Sequence, residues 1–283
     1  MGNGKILGID HVDIRVPDVD AAVRFYCDGL GLHLKRRDDY NAIVETPDGV
    51  ILEVSPGGTD KGDTSGITHV CYNTWDVDAA FARALECGAK PSRESDPVPS
   101  TYKDLRMAFV RAPSGEEIEF WSIMQPNGKF GEPVPNGHYV KNFVHTAFTV
   151  PDMAVCVAFY EGLGAKLKVD WEWGCSMILP DGREFELFTG GEKLTQKPEG
   201  YIHVCLLTDD VEAALERVKQ LGGAVAHEPY DWSNLRIAFA TGLAGEIIEF
   251  FMLYQEGRAP DVFEKAPQPL PDLFVDVPKE ERS

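Results

Sequence analysis

Four times along the chain a short apolar run gives way to a helical stripe. The runs are IDHVDIRVPD (Ile9 to Asp18), ITHVCYNTWD (Ile67 to Asp76), FVHTAFTVPD (Phe143 to Asp152) and YIHVCLLTDD (Tyr201 to Asp210). Their β-branched content and partial period-two alternation predict a strand in each. The closing aspartate suits an N-cap, because its carboxylate can accept from the free N–H groups of a first helical turn. The helices predicted next are VDAAVRFYCDGLG, VDAAFARALECGA, MAVCVAFYEGLGA and VEAALERVKQLGG. All four run into glycine, the usual left-handed stop. A turn and a final strand follow: PDGVILEV, PSGEEIEFW, PDGREFELF and LAGEIIEFF.

The spacing of these segments is hierarchical. His11 and His69 stand 58 residues apart, as do His145 and His203, and each first-half histidine lies 134 residues before its second-half counterpart. Odd segments share VPD…FY…GLG, and even segments share DV(D/E)AA and LR-x-AF. The chain therefore reads as a two-module domain that was duplicated. The expected layout is an N-terminal domain over 1–125 (modules 6–57 and 66–125) and a C-terminal domain over 141–255 (modules 141–190 and 200–255). The Pro/Gly-rich stretch 126–140 reads as a linker between them. Residues 256–283, rich in proline and charge, read as an extended tail.

Four of the seven histidines, His11, His69, His145 and His203, hold one module position. Glu53, Glu119, Glu186 and Glu249 each lie four residues after the turn glycine, between apolar neighbours in a strand. Histidine is a poor strand core residue, and glutamate is almost never buried without a partner. Two modules joined into one curved sheet would supply two imidazoles and two carboxylates. That N2O2 set suits a divalent Zn, Ni, Co, Mn or Fe(II) ion.

Composition narrows the partners. There are 27 basic and 46 acidic residues, for a formal net charge of −19. Such a surface repels phosphate backbones and anionic lipid, which leaves a small molecule as the expected partner rather than nucleic acid or membrane. No apolar run approaches the roughly 18 residues of a membrane span, and the N-terminus has no signal-peptide core. The six cysteines are scattered without a CxxC pair and read as small core residues of a reducing cytoplasm. A homodimer is compatible with this composition.

The strand–helix opening with VPD…FY…GLG, the glycine turn and the strand bearing a central glutamate resemble the vicinal oxygen chelate superfamily. That superfamily includes glyoxalase I, methylmalonyl-CoA epimerase, extradiol dioxygenases and the fosfomycin and bleomycin resistance proteins. The resemblance spans Ile6 to Gln255. It implies an α+β fold of four βαβββ modules, paired into two cup-shaped domains. It also implies divalent-metal ligands at His11, Glu53, His69 and Glu119, and at His145, Glu186, His203 and Glu249. Glu119 and Glu249 would double as catalytic bases. The implied activity is a glyoxalase- or epimerase-type isomerase or lyase, transferring a proton on a small oxygen-chelating substrate.

Two alternatives belong to other classes. An extradiol dioxygenase would place Fe(II) on His145, His203 and Glu249. Against it, no histidine stands between His145 and His203, Phe239 occupies the place of a tyrosine ten residues before Glu249, and the turn is TGLAG. A non-catalytic binding protein of the resistance type would use an aromatic cup, with Trp121, Trp171, Trp173, Trp232 and Phe251 as candidates. Arg15, Arg106 and Arg236 are candidate holders of a substrate carboxylate or phosphate. The positions four residues after each histidine carry Arg15 and Asn73 in one half, Thr149 and Leu207 in the other. The second cup is accordingly expected to be more apolar or to serve a different ligand.

Overall fold

A computed structural model describes residues 5–57, 66–92, 98–102, 105–123, 142–171, 174–189, 200–232 and 235–253. The proposed linker and tail lie outside the described residues, as does Trp173. The predicted caps and stops form as the sequence chemistry requires. The carboxylates of Asp18, Asp76, Asp152 and Asp210 accept from the backbone N–H of Ala21, Ala79, Val155 and Ala213 at 2.9–3.1 Å. Gly31, Gly88, Gly164 and Gly222 close the helices at φ 83° to 107°, where a side chain would be strained.

The first half contains β1 (Ile6–Val16), α1 (Val19–Val23), β2 (His33–Arg37), β3 (Ala42–Glu45), β4 (Ile51–Pro56), β5 (Gly66–Thr74), α2 (Val77–Glu86), β6 (Lys90–Pro91), β7 (Ser100–Tyr102), β8 (Leu105–Arg111) and β9 (Glu117–Ile123). The second contains β10 (Asn142–Thr149), α3 (Met153–Leu163), β11 (Lys166–Trp171), β12 (Gly174–Ile178), β13 (Glu184–Phe188), β14 (Gly200–Leu207), α4 (Val211–Gln220), β15 (Ala224–Trp232), β16 (Leu235–Thr241) and β17 (Ile247–Leu253). Each half forms one sheet: β2-β3-β4-β1-β5-β9-β8-β6, with β7 on β8, and β11-β12-β13-β10-β14-β17-β16-β15. The two modules of a half meet through antiparallel first strands, β1 with β5 and β10 with β14. Each first strand also pairs in parallel with the last strand of its own module. The glutamate strands are therefore the immediate neighbours of the histidine strands.

One helix departs from expectation. After α1 the chain widens into a π-turn over Arg24–Gly29. The sequence supplies the cause: two residues separate FY from GLG in the first module, and one in the third. A single wide turn absorbs the extra residue while leaving Asp18 as cap and Gly31 as stop.

The halves share one interior. A single buried cluster holds Ile14, Phe25 and Val70 from the first half together with Phe148, Tyr160 and Phe250 from the second. Paired contacts tie the halves together. The Tyr26 hydroxyl donates to Glu246 at 2.6 Å, and the Tyr160 hydroxyl donates to Glu116. Arg83 Nε donates to the Gly162 carbonyl at 3.1 Å, and Arg217 Nε to the Gly29 carbonyl at 3.2 Å. Among the described residues no helix is long and apolar enough to cross a membrane.

Candidate metal centres

Strand alternation divides each sheet into a core face and a cup face. On β1, Val12, Ile14 and Val16 enter the core, which turns His11, Asp13 and Arg15 toward the cup. The pairing slips between Ile9 and His11, and the equivalent slip in β10 falls between Phe143 and His145. Such irregularities bend the strand and re-aim a side chain. Here both immediately precede the histidine.

In the first cup, His11 Nε2 lies 3.4 Å from a Glu53 carboxylate oxygen and 3.2 Å from one of Glu119. His69 Nε2 lies 3.2 Å from that same Glu119 oxygen. In the second, His145 Nε2 lies 3.4 Å from Glu186 and 3.2 Å from Glu249, and His203 Nε2 lies 2.9 Å from Glu249. The two Nε2 atoms of His145 and His203 are 3.1 Å apart. All eight expected ligand residues thus gather in two sets of four. Ligand atoms of His11, His69 and Glu119 fall within 4.8 Å of one another, as do those of His145, Glu186 and His203.

The donor sets fit a divalent cation. Every histidine and glutamate in them is buried except Glu53, which is partly so. Taking this many ionisable groups out of water is costly unless opposite charge joins them. His11 Nε2 is buried and makes no hydrogen bond of good geometry, although two carboxylates flank it. His11 Nδ1 meets Asp10 at 2.9 Å, which leaves the Nε2 lone pair for a cation.

Electrostatics tie each set together. Burial opposes ionisation of Glu119, but the His11 and His69 rings beside it prevail and hold its pKa at about 2. Glu249 is likewise pulled far below its usual range despite burial, by His203 and His145. Burial would lower His145, yet Glu186 and Glu249 carry it to about 9. Burial pushes Glu186 up to about 7, with Glu249 and Glu184 adding to the rise. His203 is depressed by burial.

The substrate arginines divide. Arg15 reaches the first cup beside Asp13, 3.7 Å away, and its buried Nε has no hydrogen-bond partner. Arg106 and Arg236 are not brought to the cups. Met107 and Phe109 pair with Trp121 and Glu119 on the cup face of β8, so alternation turns Arg106 to the helix side, where it binds Asp78 of α2. Arg236 in the same way binds Glu212 of α4 and also Asp231.

Sequence reasoning passed over three cup residues. Asp13 accepts from Ser55 at 2.7 Å and from Thr68, and Thr68 Oγ contacts His69 Nδ1 at 3.2 Å. This chain orients the His69 ring from behind. The signal was present: IDHVD brackets His11 with acids, whereas FVHTA brackets His145 with none. Cys71 and Cys205, each two residues after a cup histidine, pair across the ladder with Glu119 and Glu249. They lie in the cup floors, and burial raises both thiols well above their usual range. All six cysteines are free.

The candidates for an aromatic wall also separate. Trp121 sits edge-on to His11, with ring centroids 5.3 Å apart. Trp171 and Phe251 belong to a second buried apolar cluster, found on the cup side of the C-terminal sheet.

Residues 8–120 and 142–250 both match the family described as the Glyoxalase/Bleomycin resistance protein/Dioxygenase superfamily. A probable lactoylglutathione lyase of Synechocystis sp. is 35% identical over 120 residues, spanning 38% of this chain and 90% of that protein. Glyoxalase I of Saccharomyces cerevisiae is 21% identical over 281 residues, 77% of this chain and 82% of that protein. Among solved structures, a Mn(II)-bound glyoxalase from Novosphingobium aromaticivorans has a TM-score of 0.67 at 19% identity, covering 87% of this chain and 82% of that one. An extradiol ring-cleaving dioxygenase from B. fuscum has a TM-score of 0.65 at 19% identity, covering 90% and 74%. These structures share the fold. With both halves matched and both cups assembled from the same strands, the chain belongs to the glyoxalase/bleomycin resistance/dioxygenase superfamily.

Proposed function

We infer that the protein is a divalent-metal-dependent lyase or isomerase of the glyoxalase type. It moves a proton on the carbon beside a carbonyl of a small oxygen-chelating substrate. One observation carries this reading: in each half a single glutamate oxygen, of Glu119 or Glu249, stands within 3.2 Å of both cup histidines. His11, Glu53, His69 and Glu119 would hold one metal ion, and His145, Glu186, His203 and Glu249 a second. A bound divalent cation polarises the substrate oxygens and stabilises the charge that develops when the proton leaves. Glu119 and Glu249 take and return the proton. The remaining ligands orient the substrate, and the buried floor excludes competing water. Relatives named as lactoylglutathione lyases make S-lactoylglutathione the first probe.

The test is deuterium exchange from solvent into the lactoyl α-carbon of S-lactoylglutathione, followed by NMR. The double variant Glu119→Gln/Glu249→Gln is expected to lose about 10²-fold or more of the exchange rate. Each single variant shows how much its cup contributes. Undiminished exchange in the double variant overturns the reading.

A second reading, ring cleavage at His145, His203 and Glu249, is favoured by the apolar wall around them. Oxygen uptake with catechol and Fe(II) tests it.

A further inference from the structure

The cups differ at their walls, and the difference follows residue by residue from the ladder. Two residues beyond Glu53 on β4, the first cup has Ser55 paired with Arg15; two residues beyond Glu186 on β13, the second has Phe188 paired with Thr149. Asp13, facing His69 across β1 and β5, becomes Ala147 facing His203. Asn73 of β5, paired with Trp121, becomes Leu207 of β14, paired with Phe251. Glu117 becomes Ile247 at the same step of the last strand. The first wall therefore offers a guanidinium, carboxylates, a hydroxyl and an amide. The second offers a continuous apolar surface, with Trp171 stacked on Phe188 at 6.2 Å and 7° between planes.

A phenol stands at the second mouth. Tyr230 of β15 pairs with Ile237, itself part of the apolar cluster, so the phenol shares the cup face. It is 39% exposed, and its ring lies 5.0 Å from that of His227. At the equivalent pairing step the first half has Ser100 opposite Met107. Arg15 Nε, buried and without a hydrogen-bond partner, is the matching group of the first cup and stands 3.7 Å from the Asp13 carboxylate.

We propose that the two cups take different ligands: the C-terminal cup a chelator with an uncharged apolar body, aromatic or branched aliphatic, and the N-terminal cup a chelator with an anionic substituent held by Arg15. The inference rests on the two-metal reading given above. An apolar body gains by leaving water against Leu207, Phe188 and Phe251. A carboxylate loses there, because burial without a partner penalises the charge. In the first cup the preference reverses, since a guanidinium pairs with a carboxylate through charge-assisted hydrogen bonds.

Hydroxamates test this, because the chelating head stays fixed while the tail changes. The probes are acetohydroxamate, benzohydroxamate and the monohydroxamate of succinate. Each is titrated calorimetrically into metal-loaded full-length protein whose metal content has first been measured. Benzohydroxamate is expected to bind one site per chain about tenfold or more tighter than acetohydroxamate, with a more negative heat-capacity change. Leu207→Asn and Phe188→Ser should each abolish that gain and leave the succinate monohydroxamate site intact, which also reports that the variant is folded. Arg15→Thr should weaken the succinate probe about tenfold and leave benzohydroxamate unchanged. Equal binding of benzohydroxamate to both cups of a two-metal protein, or unchanged binding in Leu207→Asn and Phe188→Ser, overturns the assignment and leaves the metal reading standing. A chain that takes up no metal overturns both.

Discussion

Behind His69 in the first cup lie Thr68 and the buried carboxylate of Asp13; at the matching step of the second cup Ala147 stands opposite His203, whose Nδ1 has no hydrogen-bond partner among the described residues. Behind His11 lies Asp10, where β10 has Val144. The cup histidines and glutamates themselves do not change between the halves. Two histidines on the antiparallel pair, and two glutamates on the strands beside it, recur with the same pairing and nearly the same distances. The difference teaches where the repeat is rigid and where it is free. Ligand positions depend on register, and a one-residue slip would send every one of them into the core. Wall positions carry no such register constraint: Asp13 becomes Ala147, Asn73 becomes Leu207 and Glu117 becomes Ile247 while the strand pairing stays the same.

The comparison sharpens under substitution. The largest expected effect is on metal affinity behind His69. Asp13→Ala should weaken metal binding in the first cup by about 10- to 100-fold and leave the second cup unchanged. Competition with a chelating dye, resolved into two sites, measures it. Equal loss at both sites would show that the halves respond as one.

A smaller effect probes what the halves share. Burial raises the carboxyls of Glu116 and Glu246, which accept from Tyr160 and Tyr26 across the junction. A carboxyl with a raised native pKa binds its proton more tightly folded than unfolded. Its stabilisation is complete below the ordinary carboxylate pKa and is lost as the pH climbs through the raised value. Glu246→Gln and Glu116→Gln remove that loss while keeping partners for the hydroxyls. Each should therefore match wild type at acid pH and melt about 2–4 °C higher above the window, read by thermal unfolding across pH. A variant that gains stability at acid pH and loses it at alkaline pH contradicts the assignment.

Much of this arrangement was legible in the sequence because it was written four times. The aspartate caps, glycine stops and central glutamates depend on local chemistry that each module repeats, and repetition separates them from chance. The π-turn was a one-residue length difference between FY-CD-GLG and FY-E-GLG, visible but unread. Arg106 and Arg236 were misplaced because their shared 13-residue spacing from a glutamate in sequence says nothing about parity across a hairpin. Register puts them beside Asp78 and Glu212 instead. Asp13, Cys71 and Cys205 were missed because their partners lie on a neighbouring strand, whereas Asp10, next to His11 in the sequence, was visible in IDHVD and unread. The shared core across the halves was also hidden, since apolar faces do not name their partners.

The most direct measurement is the metal content per chain of tag-free protein, determined by elemental analysis for wild type, His69→Ala and His203→Ala after loading with excess metal and removal of the unbound fraction. Two working cups predict about two ions per chain in the wild type and about one in each variant, because removing one of four ligands from a site typically costs it the ion under such conditions. A wild-type chain that retains no metal, or variants that retain as much as wild type, would contradict the reading of these histidines and glutamates as metal centres.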